Sequence, residues 1–198
     1  MTKILWFTGL SGAGKSTLSK ILGIKLSKLS FKVKIIDGDI FRTKNKNKNN
    51  FSKTNILKNN LSIINYIKKI KKKYDFILVS VISPLLITRN IARTKFGVNY
   101  FEIYVKCKIK TLEKRDTKQL YAMAKKNLIK NLIGYNSNIK YEVSKYKKII
   151  IDTDKLSKLK SINLIIKKIF WLVRLYDISF ERLIKNYFRW AKSKLSAL

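Results

Sequence analysis

Three glycines within Gly9-Leu10-Ser11-Gly12-Ala13-Gly14-Lys15-Ser16 leave this segment few ways to fold, and together with Lys15 and Ser16 they match G-x-x-x-x-G-K-[ST]. Ahead of it runs Ile4-Leu5-Trp6-Phe7, apolar and short enough for a buried strand; behind it Thr17-Leu18-Ser19-Lys20-Ile21-Leu22 opens a helical period over about 16–29. Strand, glycine turn and helix in that order make a phosphate cradle, in which the curled backbone from Gly9 to Thr17 aims its N–H groups at phosphate oxygens. The helix N-terminus adds partial positive charge. Lys15 is set to reach the β- and γ-phosphates, and the Ser16 hydroxyl to hold Mg²⁺. The segment implies a nucleoside triphosphate site.

The length, 198 residues, suits one α/β domain with a substantial core. Lys plus Arg outnumber Asp plus Glu by 45 to 11, a net charge of +34. Such a charge attracts nucleic acid, anionic membrane or phosphorylated small molecules. The lysines are spread along the chain and form no single stripe, so a compositional habit is the stronger reading. Histidine is absent, which leaves carboxylates or the substrate itself for proton transfer. The single Cys107 excludes an internal disulfide, and a reducing, cytoplasmic setting is expected, with no targeting peptide ahead of the first strand.

Beyond the cradle, strands and helices alternate. A strand at Val33-Lys34-Ile35-Ile36 leads to Asp37-Gly38-Asp39, two carboxylates at a strand's C-terminal edge, where open α/β sheets place their chemistry. Asp-Gly is also a common turn pair, but in a chain with only 11 acids two together favour function. A Lys/Asn-rich stretch at 43–60 reads as a substrate-side loop passing into a helix of about 53–73. The run Phe76 to Ile82 is continuously apolar, as for a strand covered on both faces, and ends at Ser83 and the only proline, Pro84. A helix at about 85–96, a strand at 100–105, charged helices at 110–116 and 118–124, a strand at 149–151 and a helix from about 156 complete the chain. The alternation predicts a three-layer α/β/α domain around a mainly parallel sheet, over residues 1–171. Residues 172–198 read as a basic amphipathic helical extension, with a packing or dimer contact favoured over a membrane surface and no run long enough to span a bilayer.

With these residues laid out, the chain resembles the adenylylsulfate (APS) kinase family over about residues 5–155. Residues Trp6 to Thr17 repeat the family's cradle almost letter for letter. Asp37, Gly38, Asp39 and Arg42 match its D-G-D-x-x-R, Phe51 and Ser52 its G-F-S, and Asn59 its E-N-I. Ile82-Ser83-Pro84 is its I-S-P; Arg115, Asp116, Lys118, Leu120 and Tyr121 follow its R-D-P-K-G-L-Y. The resemblance implies ATP and Mg²⁺ as cofactors and phosphorylation of the 3′-hydroxyl of adenylyl sulfate. It implies that Asp37 serves Mg²⁺, with Ser16, and that Asp39 meets the acceptor hydroxyl. Arg42, Asn59, Ile82 and Lys118 fall to the acceptor, Phe51 to its adenine, and Arg115 with Lys118 to a lid over ATP. Ser83 takes the place of a phosphoserine intermediate, although direct in-line transfer needs no protein nucleophile.

The departures fall on the acceptor side. The family's D-R after G-F-S is Asn55-Ile56, the arginine after I-S-P-Y is Leu86, and F-T-G-I-D becomes Leu132-Ile133-Gly134-Tyr135-Asn136, placing Leu132 where an aromatic would face the acceptor. Two other readings therefore stand beside sulfate activation: a related kinase with another small hydroxyl acceptor, and a nucleotide-binding protein whose basic surface binds a partner.

Overall fold

A computed structural model describes residues 1–44, 52–146 and 148–174. Among the described residues five strands form one sheet: β1 (Lys3–Thr8), β2 (Val33–Asp37), β3 (Phe76–Ser80), β4 (Tyr100–Lys106) and β5 (Ile149–Asp152). Their spatial order is β2-β3-β1-β4-β5, and every pairing is parallel. Parallel neighbours require crossovers, which α1 (Lys15–Lys28), α3 (Lys53–Ile70) and α4 (Leu86–Phe96) supply, followed by α5 (Ile109–Arg115) and α6 (Leu120–Lys125). A final helix, α7 (Lys158–Arg174), closes the described chain.

The apolar residues of the central strands feed two cores, one on each face of the sheet. Leu5, Phe7, Leu78 and Ile103 meet Leu18 and Leu22 of α1 and Ile162, Ile165 and Ile169 of α7. On the other face Ile4, Trp6, Ile77 and Val79 meet Ile63, Ile64 and Ile67 of α3 and Ala92 and Phe96 of α4. The continuous apolar spelling of β1 and β3 is thereby explained, since all their residues are buried. The three-layer arrangement is the expected one. The chain winds from β1 outward to β2 and returns through β3, then passes β1 to β4 and β5. The strand order reverses at β1, and the crevice at its C-terminal end is where a doubly wound sheet accepts ligands.

Some boundaries differ from expectation. The segment after β2 is not a turn leading into a loop: Gly38–Lys44 forms a further helix, α2, with Asp39 in its first turn, where a carboxylate favours the helix dipole. β3 ends at Ser80 instead of Ile82, and α3, which starts at Lys53 as expected with the Ser52 hydroxyl accepting from the Asn55 N–H at its N-cap, ends at Ile70 and passes into a 3-10 turn at Lys71–Lys73. α7 continues to Arg174, so the expected domain boundary after residue 171 falls inside a helix, and the remainder of the C-terminal extension lies outside the described residues.

Candidate active site

The chain leaves β1 at Gly9, whose φ is +138°; a Cβ there would lie 2.3 Å from the Val105 carbonyl oxygen of β4. Only glycine permits so close a pass, so the cradle begins pressed against the neighbouring strand. It is then tied from outside. Tyr121 of α6 donates its hydroxyl to the Ser11 carbonyl at 3.0 Å, and Thr153 after β5 donates to the Ala13 carbonyl at 3.2 Å. The resulting cavity, about 850 Å³, is lined by the cradle, Asp39, Arg115, Lys118 and Thr153.

Inside this ring Lys15 is buried and donates Nζ to the Leu10 carbonyl at 2.7 Å. Burial lowers its pKa to about 8; the charges of Asp39 and Asp37 oppose that shift, and Lys118 adds to it. The Ser16 hydroxyl donates to Asp37 Oδ2 at 2.6 Å, while Asp37 Oδ1 accepts the Asp39 N–H at 3.0 Å. A hydroxyl and a carboxylate at this separation are hard oxygen donors suited to Mg²⁺, which is usually held by one or two carboxylates plus substrate phosphates. Among the described residues no group of three or more His, Cys, Asp or Glu gathers that could hold a metal ion.

Asp39 stands between two cations. Arg42 Nη2 lies 3.1 Å from Oδ1, and Lys118 Nζ lies 2.6 Å from Oδ2. Burial pushes the Asp39 carboxyl up, but the hydrogen bond and charge of Lys118, with Arg42 and Lys15, outweigh it and hold the carboxyl below its ordinary value. Arg115 spans the rim by donating to Thr153 O at 2.6 Å and Thr153 Oγ1 at 3.1 Å. Asp116 takes no part in the cavity; its carboxylate accepts the Tyr121 and Ala122 N–H groups and so starts α6.

A second, smaller cavity of about 30 Å³ lies alongside, with Asp39, Arg42, Asn59, Ile82 and Ser83 in its wall. Asp39 and Ile82 line both spaces, so a group held in one faces a group held in the other across the Asp39 carboxylate. Two cavities that meet at one carboxylate suit transfer between a group held in each. A family model described as adenylylsulphate kinase matches residues 1–152. The chain belongs to the adenylylsulphate kinase family. It is 33% identical over 155 residues to a probable adenylyl-sulfate kinase of Archaeoglobus fulgidus, covering 78% of this chain and 98% of that one. To the adenylyl-sulfate kinase of Clostridium acetobutylicum it is 33% identical over 164 residues, covering 83% and 81%. An APS kinase of Mycobacterium tuberculosis, solved in complex with AMPPNP and APS, superposes with a TM-score of 0.73 at 26% identity over 87% of this chain and 98% of that one.

Against the family pattern, most expected residues come together and Leu132 does not. Ser11 to Thr17, Asp39, Arg115 and Lys118 line the larger cavity, with Asp37 tied to it through Ser16, and Arg42, Asn59, Ile82 and Ser83 line the smaller one. Leu132 does not reach the acceptor: it packs in the α1–α7 core at 7% exposure, and the side chain in the cleft wall is that of its neighbour Ile133. The reason is the next residue. Gly134, at φ +80°, presses so closely on Leu10 of the cradle that a Cβ would lie 2.5 Å from its Cδ2, which fixes the facing of the 132–136 turn. Phe51 lies outside the described residues.

Ser83 adopts φ +45°, is 1% exposed, and shares a 3.1 Å hydrogen bond with the Thr88 hydroxyl. Its carbonyl accepts from Arg89, which sequence reasoning missed. Arg89 is fully buried, also donates to the Glu142 carbonyl, and lies 5.0 Å from the Tyr141 ring centroid. Its Nε stands 3.4 Å from Glu102 Oε1, pairing in charge without hydrogen-bond geometry, while Arg93 closes on Oε2 at 2.9 Å. The available signal was Glu102 itself, the only acid in the apolar strand Tyr-Phe-Glu-Ile-Tyr-Val, with arginines four residues apart on the preceding helix. A carboxylate placed inside a sheet layer demands buried cations.

Proposed function

We propose that this chain transfers the γ-phosphoryl group of ATP to the 3′-hydroxyl of adenylyl sulfate, giving 3′-phosphoadenylyl sulfate and ADP. The observation that carries the reading is Asp39, one carboxylate in the walls of both cavities, 2.6 Å from Lys118 of the donor side and 3.1 Å from Arg42 of the acceptor side. The acceptor oxygen forms a bond to γ-phosphorus as the bond from γ-phosphorus to the β,γ-bridging oxygen breaks. Asp39 orients the hydroxyl and takes its proton late. A loose transition state asks little basicity of it, which agrees with a carboxyl held below its ordinary pKa. Lys15 keeps its charge against the β- and γ-oxygens as negative charge moves toward ADP. Ser16 and Asp37 hold Mg²⁺, which when bound offsets phosphate charge. Arg42 and Lys118, paired with Asp39 in this structure, exchange that carboxylate for anionic groups of the two substrates as these enter.

Ser83 serves this reading as a shaped turn, its hydroxyl turned to Thr88. The reaction belongs in the cytoplasm, where ATP is made. Among the described residues no helix is long and apolar enough to cross a membrane. Self-association is open to the chain; a relative from Thiobacillus denitrificans is described as a hexameric APS kinase.

The test is phosphoryl transfer from labelled ATP to adenylyl sulfate beside a panel of other small hydroxyl acceptors. Label at the 3′-oxygen of adenylyl sulfate, at a higher kcat/KM than for any other acceptor, is expected. Preference for a different acceptor overturns the assignment and favours the reading in which the Asn55 and Ile56 departures in the cleft wall mark a changed substrate.

A further inference from the structure

Lysines that the sequence scatters are brought together by the fold at one end of the sheet. All five strands run parallel, so α1, α3, α4 and α7 return against them and end at the strands' N-terminal edge, opposite the two cavities around Asp39. Lys28 closes α1, Lys68 stands in the last turn of α3, and Lys95 in that of α4. The 3-10 turn after α3, Lys71–Lys73, is lysine throughout, and Lys32 precedes β2. Hydrogen bonds knit this edge into one surface. Thr2 donates its hydroxyl to the Lys71 carbonyl, the Lys32 N–H donates to Asp75 Oδ2 at 2.7 Å, and Lys3 Nζ donates to Asn99 Oδ1 at 3.0 Å.

Carboxylates do not balance this charge. Among the described residues Asp75 is the one acid at this edge, and its Oδ2 is taken by main chain. Asp37, Asp39, Asp116, Asp152 and Asp154 gather at the other edge, and Glu102 is buried between Arg89 and Arg93. Lys95 of α4 lies within hydrogen-bonding reach of Lys68 of α3 and, with Lys71, holds that ammonium below its ordinary pKa. Helix C-termini favour cations, which accounts for Lys28, Lys68 and Lys95 taken singly. It does not account for an all-lysine turn, or for like charges of two helices held side by side. The edge is not purely ionic either. Val98, in the turn between α4 and β4, is 62% exposed, and Trp171, in the last turn of α7, is 56% exposed. Phe170 beside it shares a core with Leu26 and Phe76, the first residue of β3, which puts Trp171 at this level.

The make-up of the edge selects the anion it meets. Nucleic-acid phosphates are commonly held by arginine forks, main-chain N–H groups and helix N-termini, and a duplex admits a helix or strand pair into its groove. This edge offers lysines, and helices that meet it by their C-terminal poles. Ammonium groups on long stems, with an exposed valine and tryptophan among them, suit a broad negative surface over a hydrocarbon layer. We infer that the N-terminal edge of the sheet is a docking surface for an anionic lipid bilayer, with the two cavities facing away from it. The docked protein keeps both cavities open to solvent, and the inference needs no assumption about the acceptor.

The experiment is cosedimentation of the full chain with vesicles of phosphatidylcholine and phosphatidylglycerol at about 70:30. Binding at about 0.1 M salt, lost at about 0.5 M and absent with phosphatidylcholine alone, is expected. The combined change Lys68→Gln, Lys72→Gln, Lys73→Gln and Lys95→Gln should weaken binding about 100-fold or more, at about fivefold per ammonium group. Trp171→Ala should weaken it by about threefold to tenfold. As many exposed lysines from the cradle end, changed as Lys125→Gln, Lys126→Gln, Lys130→Gln and Lys140→Gln, should weaken it by less than about threefold. Equal losses in the two fourfold variants overturn the inference, because net charge alone would then drive binding. Wild-type protein left unbound by the anionic vesicles overturns it too, as does tighter binding of duplex DNA than of the vesicles at the same salt. The assay reads binding alone, so a failure of transfer to adenylyl sulfate leaves this result standing, and the two readings fall separately.

Discussion

The two sides of Asp39 are built from different materials. On the donor side the contacts are made by backbone: carbonyls of Leu10, Ser11 and Ala13 are each held by a side chain from elsewhere, and Gly9 clears the Val105 carbonyl only because it has no Cβ. On the acceptor side the wall is side chains, and the backbone turn at Ser83 is itself held by one buried arginine. Backbone geometry anchored by glycine tolerates little drift, because a substitution collides with main chain that cannot move aside. A wall of side chains can change one contact at a time. This contrast accounts for a cradle that matches its family almost letter for letter beside a cleft whose wall carries Asn55, Ile56 and Asn60.

The sharpest way to break the comparison is at Lys15. Lys15→Ala removes the cation that follows the γ-phosphoryl group and should lower kcat by about 10³-fold or more, read by transfer of labelled phosphate. Stability should hold within about 1 kcal/mol in urea unfolding, because the charge removed is a poorly solvated one. Near-normal turnover would show that the donor half is not organised around this residue.

Two substitutions then ask which half depends on backbone. Gly9→Ala places a Cβ against the Val105 carbonyl and should cost about 1–3 kcal/mol while weakening ATP binding. Arg89→Met leaves Glu102 with Arg93 alone and frees the Ser83 and Glu142 carbonyls; breaking a buried pair of this kind costs about 3–5 kcal/mol. Its kinetic mark should fall on the acceptor KM and not on the ATP KM. An equal rise in both would mean that the halves are not separable in this way.

What the sequence disclosed divides along the same line. The cradle, the parallel sheet and the two cores were legible because glycine spacing and apolar period depend on near neighbours. Asp37 and Asp39 were legible as chemistry, but the helix that begins at Gly38 was not, since Asp-Gly spells a turn equally well when the dipole of the coming helix is unseen. Leu132 and Ile133 could not be ranked, because which of two adjacent apolar side chains faces the cleft is set by Gly134 closing on Leu10, far away in sequence. Arg89 went unread for a related reason: its partners come from residues 83, 102 and 142.

Titration offers a subtler separation. With Lys15 near pKa 8 in the free protein, against an ordinary 10.5, kcat/KM for ATP should fall about tenfold per unit as pH rises beyond about 8. Bound phosphate favours the protonated amine, so the alkaline limb of kcat should lie higher. Stability should move the other way. Between pH 8 and 10.5 the unfolded chain binds more protons at this site than the folded one, and this site's contribution to ΔG of unfolding should rise with pH through that window. Coincident limbs for kcat and kcat/KM would place the titrating group away from the phosphates.

The smallest expected effect tests whether the acceptor half contains a nucleophile at all. Ser83 sits at φ +45°, 1% exposed, with its hydroxyl 3.1 Å from Thr88 Oγ1. To carry a phosphoryl group that hydroxyl would have to leave Thr88 and the buried turn would have to admit three more oxygens. Ser83→Ala removes one neutral hydrogen bond and leaves the carbonyl that Arg89 holds, at a cost of about 0.5–1.5 kcal/mol. Transfer should persist within about threefold of wild type, since in-line displacement between two bound substrates needs no covalent step. Mass spectrometry of the wild-type protein after ATP alone should find no phosphate on Ser83. Stoichiometric phosphoserine there, with loss of transfer in Ser83→Ala, would mean that the turn opens during turnover and that Arg89 guards a reactive residue instead of shaping a passive wall.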